Sequence, residues 1–115
     1  MNNKPIKITR NTLISSSFLS LSHASQILLI GLHMCADKAG LVDSTAALKL
    51  FNVPESALND LCQTGYIILF EGSPVVAIRH WFKAYPEYNN GHTLSDYPEL
   101  QCQLLVEKGI YAKKV

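Results

Sequence analysis

Charge is what this sequence has least of. Only 17% of its 115 residues are Asp, Glu, Lys or Arg, below the roughly 25% usual in soluble domains. Between Arg10 and Asp37 there is none at all. Ten Lys/Arg against nine Asp/Glu leave a net charge of +1, which argues against a polybasic nucleic-acid coat or membrane binder. With 48% hydrophobic residues the chain is not a disordered one either, since disorder needs low hydrophobicity and high net charge. The three cysteines, Cys35, Cys62 and Cys102, form no CxxC. That excludes a disulfide framework or a zinc ribbon and predicts buried, reduced thiols in an intracellular protein. Long apolar runs are missing too. The stretch 18–36 carries His23, Gln26, His33 and several serines, and its densest apolar run, Ile27 to Leu32, is six residues, whereas a span needs about 20. No secretory cleavage pattern follows, so the expected location is the cytoplasm, with no membrane partner. There is no GxGxxG and no GKS/T, and Ser15-Ser16-Ser17 lacks nucleophile-elbow glycines. Neither an enzyme nor a cofactor is expected.

What is present fits one domain with one core. We expect an arm over 1–17, a core over 18–81 and a C-terminal extension with a helix over 82–115. The arm carries Lys4, Lys7 and Arg10, and Ile6 and Ile8 alternate around Lys7. Ser22 can cap a helix from His23 to Ala36. Its apolar residues fall on nearly all sides, which predicts a central, buried helix. Asp37-Lys38-Ala39-Gly40 breaks it. Leu41 and Val42 leave room for a very short strand, and Asp43 or Ser44 can cap a second helix to Phe51. Asn52 and Glu55 have capping-box spacing around Pro54, which predicts a third helix ending at Thr64 before Gly65. Tyr66–Phe70 and Val75–Ile78 flank Glu71-Gly72-Ser73-Pro74 and read as a hairpin. Asp96 and Glu99 around Pro98 start a last helix, expected to run to about Glu107 and end at Gly109. Leu28, Ile30, Leu58, Leu61, Ile68, Ile78 and Trp81 are the expected core.

Helix, short strand, helix, tight turn, helix and hairpin is the order of a winged helix-turn-helix. The expected fold class is therefore α+β, mainly helical, with a β-hairpin wing and a C-terminal helix. In such folds the second helix of the pair usually reads DNA.

Within that frame a run of segments carries a family resemblance. These are Phe18-Leu19-Ser20-Leu21 with Ser25-Gln26, Cys35-Ala36-Asp37 with Gly40-Leu41-Val42, and Val53-Pro54-Glu55 through Leu58 and Leu61. Next come Gly65-Tyr66-Ile67-Ile68-Leu69-Phe70-Glu71 and Val75-Val76-Ala77-Ile78-Arg79-His80-Trp81, then the Thr93 to Glu99 stretch. Over about two-thirds of its length the chain resembles the N-terminal domain of phage and prophage replisome organisers, the DnaD-like replication initiation proteins. The resemblance implies a non-catalytic module of DNA-replication initiation. Its implied partners are DNA and replication proteins such as a helicase loader. It departs after His80-Trp81, where the family continues into a basic stretch. Here the residues are Phe82 to Asn90, and only Lys83 is basic.

The chemistry that can be read directly is sparse. The third helix exposes Asn59 and Gln63, which can pair with adenine edges. It also exposes Glu55 and Asp60 and has no Lys or Arg, so phosphate affinity must come from elsewhere. The candidates are Lys4, Lys7 and Arg10 on the arm, and Arg79 and Lys83 leaving the wing, and DNA binding by this domain alone is expected to be weak. His33, Cys35 and Asp37 do not converge on one helical face, so no metal site is expected. His33 is expected as a structural residue capping the helix end, and His80 as one packing against the core. A winged helix used for protein association, including pairing with a second copy, and a helix-turn-helix transcriptional regulator are the alternative readings.

Overall fold

The computed structural model describes Ile8 and residues 15–114. Lys4, Lys7 and Arg10 lie outside the described residues. Two serines start the first helices by offering a hydroxyl to an otherwise unpaired N–H. The Ser15 hydroxyl accepts from Phe18 N at 3.2 Å and opens α1 (Ser16–Leu19). The Ser22 hydroxyl accepts from Ser25 N at 3.1 Å and opens α2 (His23–Cys35). Leu28, Leu29 and Leu32 of α2 are buried. Its composition predicts a helix buried all round, but it is covered only in part. Its neighbours pack against one side, so Ile27, Met34 and Cys35 face outward and Ile30 is half-buried.

After the Asp37–Gly40 turn comes β1 (Leu41–Asp43), and the Asp43 carboxylate accepts from Thr45 N at 2.9 Å to cap α3 (Ser44–Phe51). Asn52 does not open the next helix. It sits in the left-handed region at φ 52° and closes α3, a conformation that Asn tolerates better than most residues. The expected capping box therefore does not form, and Glu55 leads into α4 (Ser56–Gln63) without a side-chain cap. α4 buries Ala57, Leu58 and Leu61 beneath α2.

The hairpin forms as β2 (Ile67–Leu69) and β3 (Val75–Ile78). The sheet order is β1-β3-β2, antiparallel throughout, with Leu41 opposite Ala77 and Ile68 opposite Ala77 on the other side. β3 is the middle strand and is buried at all four positions. Ile68, on an edge strand, is only half-buried.

Beyond the sheet lie α5 (Trp81–Ala84), a 3-10 turn (Pro86–Tyr88) and α6 (Pro98–Gln101). The long C-terminal helix expected to reach Glu107 is absent. After one turn the chain becomes a second hairpin, β4 (Leu104–Glu107) and β5 (Ile110–Lys113). The reason is local. Lys108 and Gly109 both take positive φ, 54° and 80°, the conformation of a two-residue hairpin turn whose twist matches the strands. Each run then buries one residue, Leu104 in the first and Tyr111 in the second. The molecule is thus α+β, with six α-helical segments and two small sheets among the described residues. No helix among them is long and apolar enough to cross a membrane.

The core closes on the Asp37–Gly40 turn. Asp37 Oδ1 accepts from Ala39 N at 2.8 Å and Leu41 N at 3.2 Å, and Oδ2 accepts from the Ser95 hydroxyl at 2.7 Å and Asp96 N at 3.0 Å. Trp81 Nε1 donates to Lys38 O at 2.8 Å, and the Tyr111 hydroxyl donates to Ala39 O. Burial, with Asp37 adding a smaller part, holds the Tyr111 phenol well above its usual range, so it stays a donor. The Trp81 indole lies flat on Gly40. A Cβ there would stand 2.3 Å from Trp81 Cγ, and the residue already needs a φ of +83°.

Gly40→Ala is therefore expected to cost about 2–5 kcal/mol, from backbone strain and the displaced indole together. Gly72, also at positive φ (74°) but with open space around it, supplies the control. Gly72→Ala should cost only the strain, about 1–2 kcal/mol. Urea melts of both variants measure the difference. Equal losses would show that Trp81 accommodates the methyl group.

Candidate nucleic-acid interface

The two polar candidates of α4, Asn59 and Gln63, share one face, as their spacing of four requires. Asn59 and Gln63 are both exposed, with Ser56 one turn before. Glu55 is exposed and Asp60 half-buried, and the Thr64 hydroxyl donates back to Asp60 O at 2.8 Å. This surface carries no cation of its own.

The cations come to it from the strand that follows. Arg79 leaves β3 with its N–H donating to Tyr66 O at 3.0 Å. Its guanidinium reaches Gly65, where a Cβ would lie 3.9 Å from Nη1. Arg79 thus stands at the C-terminal end of α4, where the carbonyl ends of a helix favour positive charge. His80 and Lys83 continue the surface along α5, and both are exposed. His80 does not pack into the core as its position beside Trp81 suggests. Its pKa is lowered, first by partial desolvation and then by Arg79 and Lys83. The two cations therefore act on one imidazole, and Arg79, His80 and Lys83 form one electrostatic unit.

A fourth basic residue, Lys108, stands out in the sequence only as one of several scattered lysines, because it falls where a helix end is expected. The turn of the second hairpin docks on α5, with Lys83 N donating to Gly109 O at 3.1 Å. A Cβ on Gly109 would stand 3.0 Å from Lys83 N and 3.2 Å from its Cα, and the residue also needs a φ of +80°, so glycine favours this approach on both counts. Lys108 directly precedes that glycine and is exposed, so the docking brings its stretch of backbone next to Lys83. The sequence does hold a signal for it, a Lys-Gly pair between the short runs Leu-Leu-Val-Glu and Ile-Tyr-Ala-Lys. The structure so brings Arg79, Lys83, His80 and Lys108 together and sets Arg79 against the end of the helix bearing Asn59 and Gln63.

No protein-family model, curated protein or solved structure matches the chain. The site is therefore judged on its own chemistry. Arg79, Lys83 and Lys108 are permanent donors to phosphate oxygens, and His80 is a fourth that switches with pH.

The other singled-out residues are placed elsewhere. His33 does not cap α2. It is buried, its Nδ1 lies 3.1 Å from the Tyr85 hydroxyl, and its ring sits 5.7 and 5.9 Å from those of Trp81 and Tyr85. Asp37 is committed to the turn described above, and Cys35 points outward. No group of three or more metal-ligating side chains gathers among the described residues. The cysteines are free, as expected, but not buried: Cys35 and Cys102 are exposed and Cys62 half-buried. A separate groove of about 580 Å³ runs past Met34, Ala46 and Leu94 and is rimmed by Asp43 and Asp96. Desolvation and then these acids, with Asp37, raise the pKa of the Tyr97 phenol at its side.

Because the docking of the Lys108 turn rests on one missing methyl group, Gly109→Ala is expected to lift the hairpin from α5. The expected loss is about 2–4 kcal/mol, strain and overpacking together, read from chemical denaturation. A variant as stable as the parent would mean that the turn does not press on Lys83.

Proposed function

We propose that this chain is a non-catalytic winged helix-turn-helix module of DNA-replication initiation, of the replisome-organiser type, acting in the cytoplasm. The observation that carries the fold part of this reading is the order α2-β1-α3-α4-β2-β3 with its strands arranged β1-β3-β2. A three-strand sheet of that order following a helix pair supports reading α4 as the recognition helix and β2–β3 as the wing. The replication part rests on the resemblance in the segments from Phe18 to Trp81. DNA is the first partner, and a helicase loader is the protein partner that the resemblance implies.

In this reading binding is divided. Arg79, Lys83 and Lys108 hold phosphates without regard to sequence, and Asn59 and Gln63 approach base edges. Glu55 and Asp60 repel phosphate and keep the affinity low. A second reading, association with protein, draws on a specific observation: α4 carries no Lys or Arg, while Met34 and Leu94 stand exposed beside an acidic groove.

Fluorescence anisotropy with duplex DNA at several salt concentrations separates the two. Replacing Arg79, Lys83 and Lys108 with Ala should weaken binding to all sequences alike. It should also flatten the slope of log K against log salt by about 0.9 for each phosphate that is no longer neutralised. Asn59→Ala with Gln63→Ala should change sequence preference more than affinity. Unchanged affinity and slope in the triple variant would defeat the DNA reading and leave protein association.

The imidazole adds a pH dependence whose sign can be worked out. The pKa of His80 is lowered in the folded chain, so at pH 7 it is neutral. Below the ordinary histidine value, near 6.5, the unfolded chain takes up this proton first. Acidification therefore removes stability as pH falls from that value through the folded pKa. Bound phosphates reverse the preference by attracting the proton. DNA affinity should thus rise between pH 7.5 and 5.5 by more than the same titration of His80→Gln shows. Parallel curves for the two proteins would remove His80 from the interface.

A further inference from the structure

The second hairpin has one edge used and one edge free. On β5, Tyr111 N donates outward to Arg79 O at 2.8 Å. Tyr111 is the partner of Val106, so this pair does not exchange hydrogen bonds, and Val106 turns its own N–H and C=O the opposite way. Alternation along an antiparallel ladder sets Leu104 the same way. This agrees with Lys114 N donating to Gln103 O at 2.8 Å across the hairpin. Among the described residues no group meets the outward N–H and C=O of Leu104 and Val106. The strand beside them is apolar and open: Leu105 is 39% exposed and Val106 41%. Edge strands are usually protected by charged side chains, a proline or a bulge. Leu104–Glu107 has no proline, and its one charge, Glu107, lies at the end of the strand.

We propose that β4 is a self-pairing edge, on which a second copy of this chain docks antiparallel through its own β4. The sequence of the strand favours this occupant. With a two-fold axis through Leu105, Leu105 faces the second copy's Leu105, Leu104 faces Val106 and Gln103 faces Glu107. Apolar meets apolar, and no like charges meet. Shifting the axis to Val106 would set Leu105 against Glu107, so one register is preferred. The outward groups of Leu104 and Val106 then form four main-chain hydrogen bonds, and the two hairpins become one continuous four-stranded sheet. The surface is isologous, so the pairing closes at a dimer. A contact this short is weak, in the low-area class of interfaces. The pairing is independent of the nucleic-acid reading, since Arg79, Lys83 and Lys108 are not on this edge.

Sedimentation equilibrium of the full chain from about 10 µM to about 1 mM, a range that brackets weak association, is the test. Amide spectra over the same range accompany it. A concentration-dependent monomer–dimer equilibrium is expected, with shifts and slowed exchange at the Leu104 and Val106 amides. Val106→Pro removes the outward donor without removing a bond inside the hairpin, and it should weaken dimerisation at least about tenfold. Leu105→Lys should do the same by placing two cations face to face. Leu50→Lys changes an exposed leucine elsewhere and should leave the equilibrium unmoved. Trp81 fluorescence reports whether each variant is folded, and the two edge variants act by different means, so the loss of one leaves the other as the test. A chain that is monomeric at every concentration overturns the proposal. So does a dimer that survives both edge changes, or one that is lost with Leu50→Lys.

Discussion

One carboxylate holds the two halves of this molecule together. Asp37 ends the first long helix, and its two oxygens face different ways. Oδ1 folds the next residues into a turn by taking the N–H groups of Ala39 and Leu41. Oδ2 takes the Ser95 hydroxyl and the Asp96 N–H from a segment almost sixty residues later. The turn so made is bare on its outer side, because Gly40 has no side chain, and the Trp81 indole covers it. Trp81 then stacks on Tyr85 at 4.0 Å, and Tyr85 reaches the buried His33. Helix, sheet and C-terminal hairpin all meet within five residues of chain. Each such bond contributes only about 1 kcal/mol net, but they are coupled, since none forms unless the turn does.

That arrangement decides where charge can gather. The segment from Asp37 to Glu71 holds five acids and two bases, so α3, α4 and the β2–β3 turn face solvent with a negative bias. The cations sit on the chain that leaves the sheet, and the closing of the second hairpin on α5 concentrates them. The exposed face of α4, poor in charge, thus lies beside a cationic flank. The same division leaves apolar residues on view, at Met34 and Leu94 beside the acidic groove and at Leu105 and Val106 on the open edge. The molecule thus offers chemically different surfaces in different places.

The local signals of the first two-thirds of the sequence are strong. Ser22, Asp43 and Gly65 stand at helix boundaries, where their chemistry places them, and the β-branched runs around Gly72 form strands. Asn52 reads as a helix start because its spacing to Glu55 fits a box. The same residue tolerates left-handed backbone, and in the fold that property wins. The C-terminal third misleads for a related reason. A helix does start at Pro98, but Tyr97 rather than Asp96 precedes it and no side chain caps it; it makes one turn only, and Leu100, Leu104 and Leu105 fit a helical stripe as well as a strand. What separates the two is Lys108-Gly109, a hairpin turn if the runs beside it pair and a helix stop if they do not. Pairing is a tertiary fact, fixed here by Tyr111 reaching Ala39. Half of the candidate site is legible for the same reason. Arg79 and Lys83 are close in sequence, whereas Lys108 joins them only through the fold.

The bond from Tyr111 to Ala39 spans 72 residues. A ribosome adds roughly 5–20 residues each second, so the turn at Ala39 waits roughly 4–14 seconds for its partner to be made. During that time helices α2 to α4 and the first hairpin can assemble. Trp81 can close on Gly40, but the side of the turn that Tyr111 will cover stays open to water. The nascent chain therefore passes through a stage in which the Ala39 carbonyl, buried in the finished fold, is still hydrated, and synthesis itself sets the order in which the core is sealed.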